Sequence, residues 1–404
     1  MANNAHIAVG LDLGSARTRC LILSITNGRL RYLGHGETPS RGWHKGRLAD
    51  QEAVSACTRG AVQAAEAKAG EAQPGISVDT LVLGVGGASI EGCHSRGIYE
   101  FGRPRAIGLD DMAYAVERSE QVRLEEDRMI LHLFPQDFIL DGRSGKRYPR
   151  GSICSRLEAN AHIVTFSEQE HHSVLAAVHQ ASYAVEETMF EPVATAYASV
   201  NREDRNRGVA VVDIGKHSTD LVVYDGEAVL LSRSLAISAD HFTRDVAVGL
   251  TVQYDDAERL KIEYGCALLG LTSDNSYIEI PSQEGRQPRE APRKQLNEIL
   301  EARAEELFIH VGSELVTIGM EQKLLEGVIL AGGGALLNGM CDMAERVLNC
   351  PARNALPEGI QDLPEDLCNP VWATAAGLAR YSARLKTSRE TKRRAPGLMG
   401  MLFR

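Results

Sequence analysis

The chain has 404 residues, with 44 Lys and Arg against 54 Asp and Glu, for a formal net charge of −10. A hydrophobic fraction of 44% and a charged fraction of 24% describe an ordinary globular protein of roughly two to four domains, which excludes collagenous, disulfide-framed and disordered classes. The acidic balance argues against a nucleic-acid partner, no run of roughly 18 apolar residues offers a transmembrane span, and the opening MANNAHIAVG lacks a secretion signal.

In chain order, Ile7, Val9, Leu11 and Leu13 alternate as a strand does, a turn follows, and Leu21, Leu23 and Ile25 resume the period. Residues 50–68 are Ala-rich and predict a helix, and 79–83 predict a buried strand running into Gly84-Val85-Gly86-Gly87. A helix is expected over 109–122, a strand over 128–134 and one long helix over 168–189. Val209 and Val211 open a further strand, whose Asp213-Ile214-Gly215 turn leads into an apolar run at 221–224. Helices over 255–269 and 296–318 flank a Pro- and Gly-bearing stretch of strand and loop. Residues 326–330 form a last apolar strand, followed by Gly332-Gly333-Gly334 and a helix to about Leu348. Strand–helix alternation of this kind places the chain in the α/β class. The eight cysteines are scattered without a CxxC pair and read as reduced core thiols. His171-His172 reads as a solvated pair at a helix start, not as a metal site.

The most informative feature is a duplication. Asp12-Leu13-Gly14-Ser15-Ala16-Arg17-Thr18 lies over Asp213-Ile214-Gly215-Lys216-His217-Ser218-Thr219, and each is strand, Asp-apolar-Gly turn, strand. Two copies of one hairpin half a chain apart predict a duplicated fold with a cleft between the halves. A Gly turn lets backbone N–H groups crowd an anion. Gly14, Ser15 and Arg19 offer donors from one half, and Gly215, Ser218 and Thr219 from the other. Asp12 and Asp213 are two hard carboxylates suited to a hydrated Mg²⁺ bridging phosphates. The triple-Gly loop after residue 330 would let a base approach the backbone. The stretch Gly84 to Ser89 lacks the third Gly of a dinucleotide fingerprint, and Gly142-Arg143-Ser144-Gly145-Lys146 has the wrong spacing for a P-loop.

Together these motifs resemble the actin/Hsp70/sugar-kinase ATPase superfamily, with Asp12–Ser15 similar to its first phosphate motif, Asp213–Gly215 to its second and VILAGGGALLNG at 328–339 to its adenosine motif. The stretches FEPVATAYA at 190–198 and VWATAAGL at 371–378 resemble its two connecting helices. Within it the likeness narrows to the FtsA family, through Gly84–Gly87 with Ser95-Arg96-Gly97, LHLFPQDFILDG at 131–142, Arg156-Leu157-Glu158-Ala159, and Glu258 with Lys261 on an ExxK helix. The likeness covers about residues 6 to 381.

That resemblance implies a four-subdomain, actin-like fold. Subdomain 1A would take 5–83, 165–196 and 367–381, 1C would take 84–164, 2A would take 197–235 and 309–366, and 2B would take 236–308. It implies ATP or ADP with Mg²⁺ in the cleft. Asp12 and Asp213 would order the metal through water, and Gly14, Ser15, Arg19, Gly215, Ser218 and Thr219 would hold phosphates. Glu258 and Lys261 would contact ribose and base, Gly332, Gly333 and Gly334 would pack on adenine, and Glu191 would orient an attacking water. Lys216 and His217 stand where the family has glycines, so hydrolysis is expected to be slow and ATP to act mainly as a conformational ligand. The implied role is a filament on the cytoplasmic face of the membrane at the division site, binding the C-terminal peptide of FtsZ and recruiting later division proteins. A PilM-like peptide-binding protein is the alternative, with a small-molecule kinase behind it.

The chain end fits a peripheral membrane role. Residues 380–404 carry eight Lys/Arg and one acid, a net +7 that leaves −17 on the rest. Residues 382–394 read as a basic, weakly structured linker, and 395–404 as a short amphipathic segment. Leu398, Met401 and Leu402 share a helical face, with Met399 and Phe403 beside them. Such a helix is roughly 13 Å long and would lie in an anionic lipid interface, not span it.

Overall fold

Alternating apolar side chains after His6 bury one hairpin, β1 (His6–Leu13) and β2 (Arg17–Thr26), which pairs on to β3 (Arg29–Pro39). The structure is a computed structural model and describes residues 6–281 and 288–394. A short hairpin, β4 (Trp43–His44) and β5 (Arg47–Leu48), precedes α1 (Gln51–Ala72). Asp50 caps that helix by accepting from Ala53 N–H at 3.1 Å, and Val54, Ala61, Val62, Ala65 and Ala69 bury one face at helical spacing. β6 (Thr80–Val85) then lies parallel to β1.

An inserted subdomain follows: β7 (Glu91–Ala106), α2 (Leu109–Ser119), β8 (Arg128–Leu140), β9 (Arg143–Lys146) and β10 (Ile153–Ser167). β10 runs antiparallel between β7 and β8, and α2 covers one face through Met112 and Ala115 on Phe138, Leu157 and Ala159. The chain returns through α3 (Glu168–Gln180), β11 (Ala184–Phe190) and α4 (Glu191–Ser199).

Here one expectation is corrected. Residues 168–189 are not one helix: the helix stops at Gln180, Ser182 takes φ +75°, and the following residues form a strand parallel to β6. The Glu-, Met- and Ala-bearing composition favours helix locally, but burial beside β6 decides the state. His171 is also not solvated; it is half-buried and hydrogen-bonds Thr188 Oγ1 at 3.1 Å.

The second half repeats the first. After α5 (Arg202–Asn206) come β12 (Val209–Ile214), β13 (Thr219–Asp225) and β14 (Ala228–Leu235). Next are α6 (Ala239–Leu250), α7 (Tyr254–Tyr264), β15 (Tyr277–Ile280), β16 (Arg289–Pro292) and α8 (Arg293–Thr317). β17 (Gly327–Ala331), α9 (Met340–Leu348), β18 (Ala352–Asn354) and α10 (Ala373–Arg394) complete it. The first sheet is ordered β3-β2-β1-β6-β11 and the second β14-β13-β12-β17-β18, the same hairpin-plus-parallel arrangement twice. The second sheet continues past β14 into β7-β10-β8-β9 through the pair Arg233↔Glu91.

Helices α4 and α10 cross at the centre, where a Cβ on Gly377 would collide with Ala194 O. A second correction concerns the chain beyond Tyr381. It is no loose linker, because α10 runs unbroken to Arg394. Good helix formers continue there, and Lys386 docks the helix on the body by donating to Ile7 O at 2.8 Å and pairing with Glu186 at 3.5 Å. Among the described residues no helix is long and apolar enough to cross a membrane. The amphipathic segment expected at 395–404, with Leu398, Met399, Met401, Leu402 and Phe403, lies outside the described residues.

Candidate functional site

The two hairpin turns close alike. A Cβ on Gly14 would press on Arg17 O at 2.8 Å, and one on Gly215 would press on Ser218 O at 3.1 Å, the third residue onward in each case. Each turn is preceded by its aspartate, Asp12 or Asp213, at the next-to-last position of the strand. The turns face a cleft of about 1320 Å³ between the halves. Its walls bring together most of the residues singled out from sequence: Asp12, Gly14, Ser15, Arg19, Glu191, Asp213, Gly215, Ser218, Glu258, Lys261 and Gly332 to Gly334. Thr219 is the exception. It is fully buried and does not line the cleft, because strand alternation turns it away while Ser218 and Asp220 point in.

Four carboxylates meet at the floor. Burial pushes Asp12 up to about 6 and Asp220 up to about 6. Burial, with Asp12 and Asp220 nearby, pushes Asp213 up to about 7. Glu191 stands well above the ordinary carboxylate range, first through burial and then through Asp12, Asp213 and Asp220. Arg19 offsets part of this, 3.9 Å from Asp12 and 2.8 Å from Glu37, with its guanidinium over the Trp372 ring. Thr374, on α10, donates to Asp213 Oδ2 at 3.1 Å and shares a 2.9 Å hydrogen bond with Thr195 on α4.

On the far wall Lys261 pairs with Glu258 at 2.7 Å and donates to Thr243 Oγ1 at 2.7 Å and Ala239 O at 3.3 Å. Thr243 in turn donates to Glu258. The triple-Gly loop splits by role. At Gly332 (φ +77°) a Cβ would overlap Asp213 Oδ1 and Ile214 O, and at Gly334 it would overlap the Ile214 side chain, so both serve close approach to β12. Gly333 has open space beside it. Lys216 and His217 also line the cleft, and His217 Cβ lies 3.3 Å from where a Cβ on Gly46, in the β4–β5 hairpin, would stand.

Sequence reasoning missed Asp220, Thr374 and Gly86. Asp220 had a legible signal: it lies seven residues after Asp213 at the head of the apolar run 221–224, and the hairpin register sets it opposite Asp213. Among the described residues no group of three or more His, Cys, Asp or Glu is placed to ligate a metal directly. A buried acidic floor of this kind fits a divalent cation that keeps its water shell and shares it with phosphate oxygens.

The family described as Cell division protein FtsA matches residues 210–377, and the SHS2 domain inserted in FTSA matches residues 87–165. The Cell division protein FtsA of Pseudomonas aeruginosa is 31% identical over 379 residues, covering 94% of this chain and 89% of that protein. Among solved structures, a chain of the PilM-PilN type IV pilus biogenesis complex superposes with a TM-score of 0.67 at 16% identity, covering 93% of this chain and 98% of its own. MreB 5 of Spiroplasma citri bound to AMPPNP superposes with a TM-score of 0.55 at 14% identity, covering 96% and 98%. At such identities these two likenesses show the fold, which is actin-like.

Proposed function

Because the chain belongs to the FtsA family of cell division proteins, we propose that it is an ATP-binding scaffold that assembles on the cytoplasmic face of the membrane and tethers FtsZ there. The observation that carries the nucleotide reading is the cleft, in which two matched Asp-apolar-Gly turns from the two halves face one another. The AMPPNP-bound MreB 5 structure, with the same fold, supports it.

In this reading the turns at Gly14-Ser15 and Gly215–Ser218 hold phosphates. Arg19 adds positive charge from one side, and Glu258 with Lys261 faces the ribose and base. Gly333 offers open backbone for adenine, and Asp12 and Asp213 order a hydrated Mg²⁺. Bound there, Mg·ATP supplies a charge bridge between the halves. Burial and its acidic neighbours raise Glu191 well above the ordinary carboxylate range, and Lys216 and His217 put side chains into the second turn itself, where a bare backbone would approach phosphate most closely. Turnover is therefore slow, and the nucleotide works as a conformational ligand.

The basic α10 carries the chain toward residues 395–404, whose apolar side chains anchor it weakly in anionic lipid. Filament formation multiplies that weak anchor into stable attachment. The second half receives the FtsZ C-terminal peptide, and the inserted subdomain meets the next subunit or later division proteins. Flotation on anionic vesicles with Mg·ATP tests this, comparing the full chain with one ending at Ala395. Only the full chain is expected to float and to carry FtsZ with it. Vesicle binding by neither form sinks the membrane role.

A further inference from the structure

The turn leading into the inserted subdomain is held by the opposite half of the molecule. β6 ends at Val85, and Gly86 and Gly87 begin the passage to β7. Gly87 takes φ +95°, and its N–H donates to Asp220 Oδ2 at 3.0 Å. Gly86 is threaded between two carboxylates, since a Cβ there would lie 2.6 Å from Asp220 Oδ2 and 2.6 Å from Glu191 Oε2. The same Asp220 oxygen accepts from Ser218 Oγ, in the second hairpin turn, at 3.3 Å. Asp220 is 2% exposed and lies between Asp213 and Ser234 in the sheet register.

The contact continues along β14. Ser232 hydrogen-bonds His162 Nε2 at 2.8 Å, and a Cβ on Gly92 would reach Ser232 O at 2.6 Å. The inserted subdomain therefore leaves the first half but rests on the second. Asp220 stands at the corner where the cleft floor, the second turn and the lead-in turn meet. Its bond to Gly87 is charge-assisted, so it is stronger than a neutral one, and its loss leaves a part-buried donor without that acceptor.

We infer that Asp220 is a positioning residue that ties residues 86–92 of the inserted subdomain to the cleft floor, so that occupancy of the cleft is transmitted to that segment. The tie is a property of the ligand-free chain, whereas the transmission rests on the nucleotide reading above. Hydrogen exchange on the full chain tests both, with D220A and D220N compared without nucleotide and with Mg·ATP saturating each.

Without nucleotide, amides of 86–92 should exchange about tenfold faster in D220A, the value of one hydrogen bond to a charged group, while those of α1 stay unchanged. The isosteric D220N keeps an acceptor and should show about a threefold increase, which carries the test if D220A fails to fold. Mg·ATP should slow exchange of 86–92 in the native chain and not in D220A. Native exchange rates in both variants would overturn the tie. An undiminished Mg·ATP response in D220A would overturn the transmission alone. A native chain that binds no Mg·ATP in a fluorescence titration removes the nucleotide reading and with it the transmission, and the ligand-free comparison still decides the tie.

Discussion

Arg19 and Asp220 occupy the same hairpin position in the two halves, opposite Asp12 in one and Asp213 in the other. The duplication has kept the backbone and inverted the charge. One half thus brings a cation to its aspartate, and the other brings a second carboxylate that raises Asp213 further. Replacing Arg19 by Gln leaves Asp12 and Glu37 without their guanidinium. The ligand-free chain should lose roughly 1–3 kcal/mol, read by urea or thermal unfolding. Unchanged stability would show that the pairing is energetically idle.

Gly86→Ala puts a methyl group against two carboxylate oxygens that have little freedom to retreat. We expect a loss of about 1–3 kcal/mol, as for overpacking elsewhere, together with weaker nucleotide binding as the cleft floor shifts. Gly270→Ala is a useful control, because that glycine, like Gly86, has no positive φ, and nothing lies within 4 Å of a Cβ there.

Lys261→Met removes the ammonium held by Glu258 and Thr243 on the far wall. In the nucleotide reading, affinity for a fluorescent ATP analogue should fall about tenfold, the usual value of one charged hydrogen bond. An unaltered dissociation constant would place the base and ribose elsewhere.

Steady-state ATP turnover should stay below about 1 per second, the low end of ordinary enzymes. The double variant Lys216→Gly with His217→Gly opens the second turn and should raise the rate. A native rate well above that bound would contradict the reading of ATP as a conformational ligand.

His162 is buried against Ser232 and His94, and burial with its histidine neighbour lowers its pKa to about 3. A histidine held neutral contributes its stability in full above its ordinary value of 6.5, and that contribution is lost as pH falls toward 3. The slope is about 1.4 kcal/mol per pH unit for one proton. His162→Gln should flatten the stability profile between pH 6.5 and 4.5 by about that slope. Parallel profiles would mean that another group governs the acid side.

Periodicity and repetition made the two hairpins, the helix at α1 and the glycine turns legible, because each is a local pattern repeated in identical chemistry. Of the cleft floor, Asp12 and Asp213 were legible from the repeat and Glu191 through the resemblance, while Asp220 was passed over. Thr374 acts through a hydroxyl brought 161 residues along the chain to Asp213, and no spacing rule announces such a meeting. Gly86 looked like part of an imperfect dinucleotide fingerprint, whereas its small size serves two carboxylates from other elements. β11 was hidden because its partner strand, not its own composition, decides its state. The helical course of 382–394 was obscured by its charge, since Glu186 and Ile7, which hold Lys386, are remote in sequence.

That unbroken α10 has a mechanical meaning. Its first turn holds Thr374 against the cleft floor, and its 22 residues extend about 33 Å from there. Docked along the first half at Ser382, Lys386 and Arg389, the rod turns with that half: a 10° rotation of it about the Thr374 end would carry the Arg394 end through about 6 Å. The end at Arg394 is thus a pointer whose bearing is set by the first half of the molecule, through Ile7 and Glu186, as well as by Asp213 at its root.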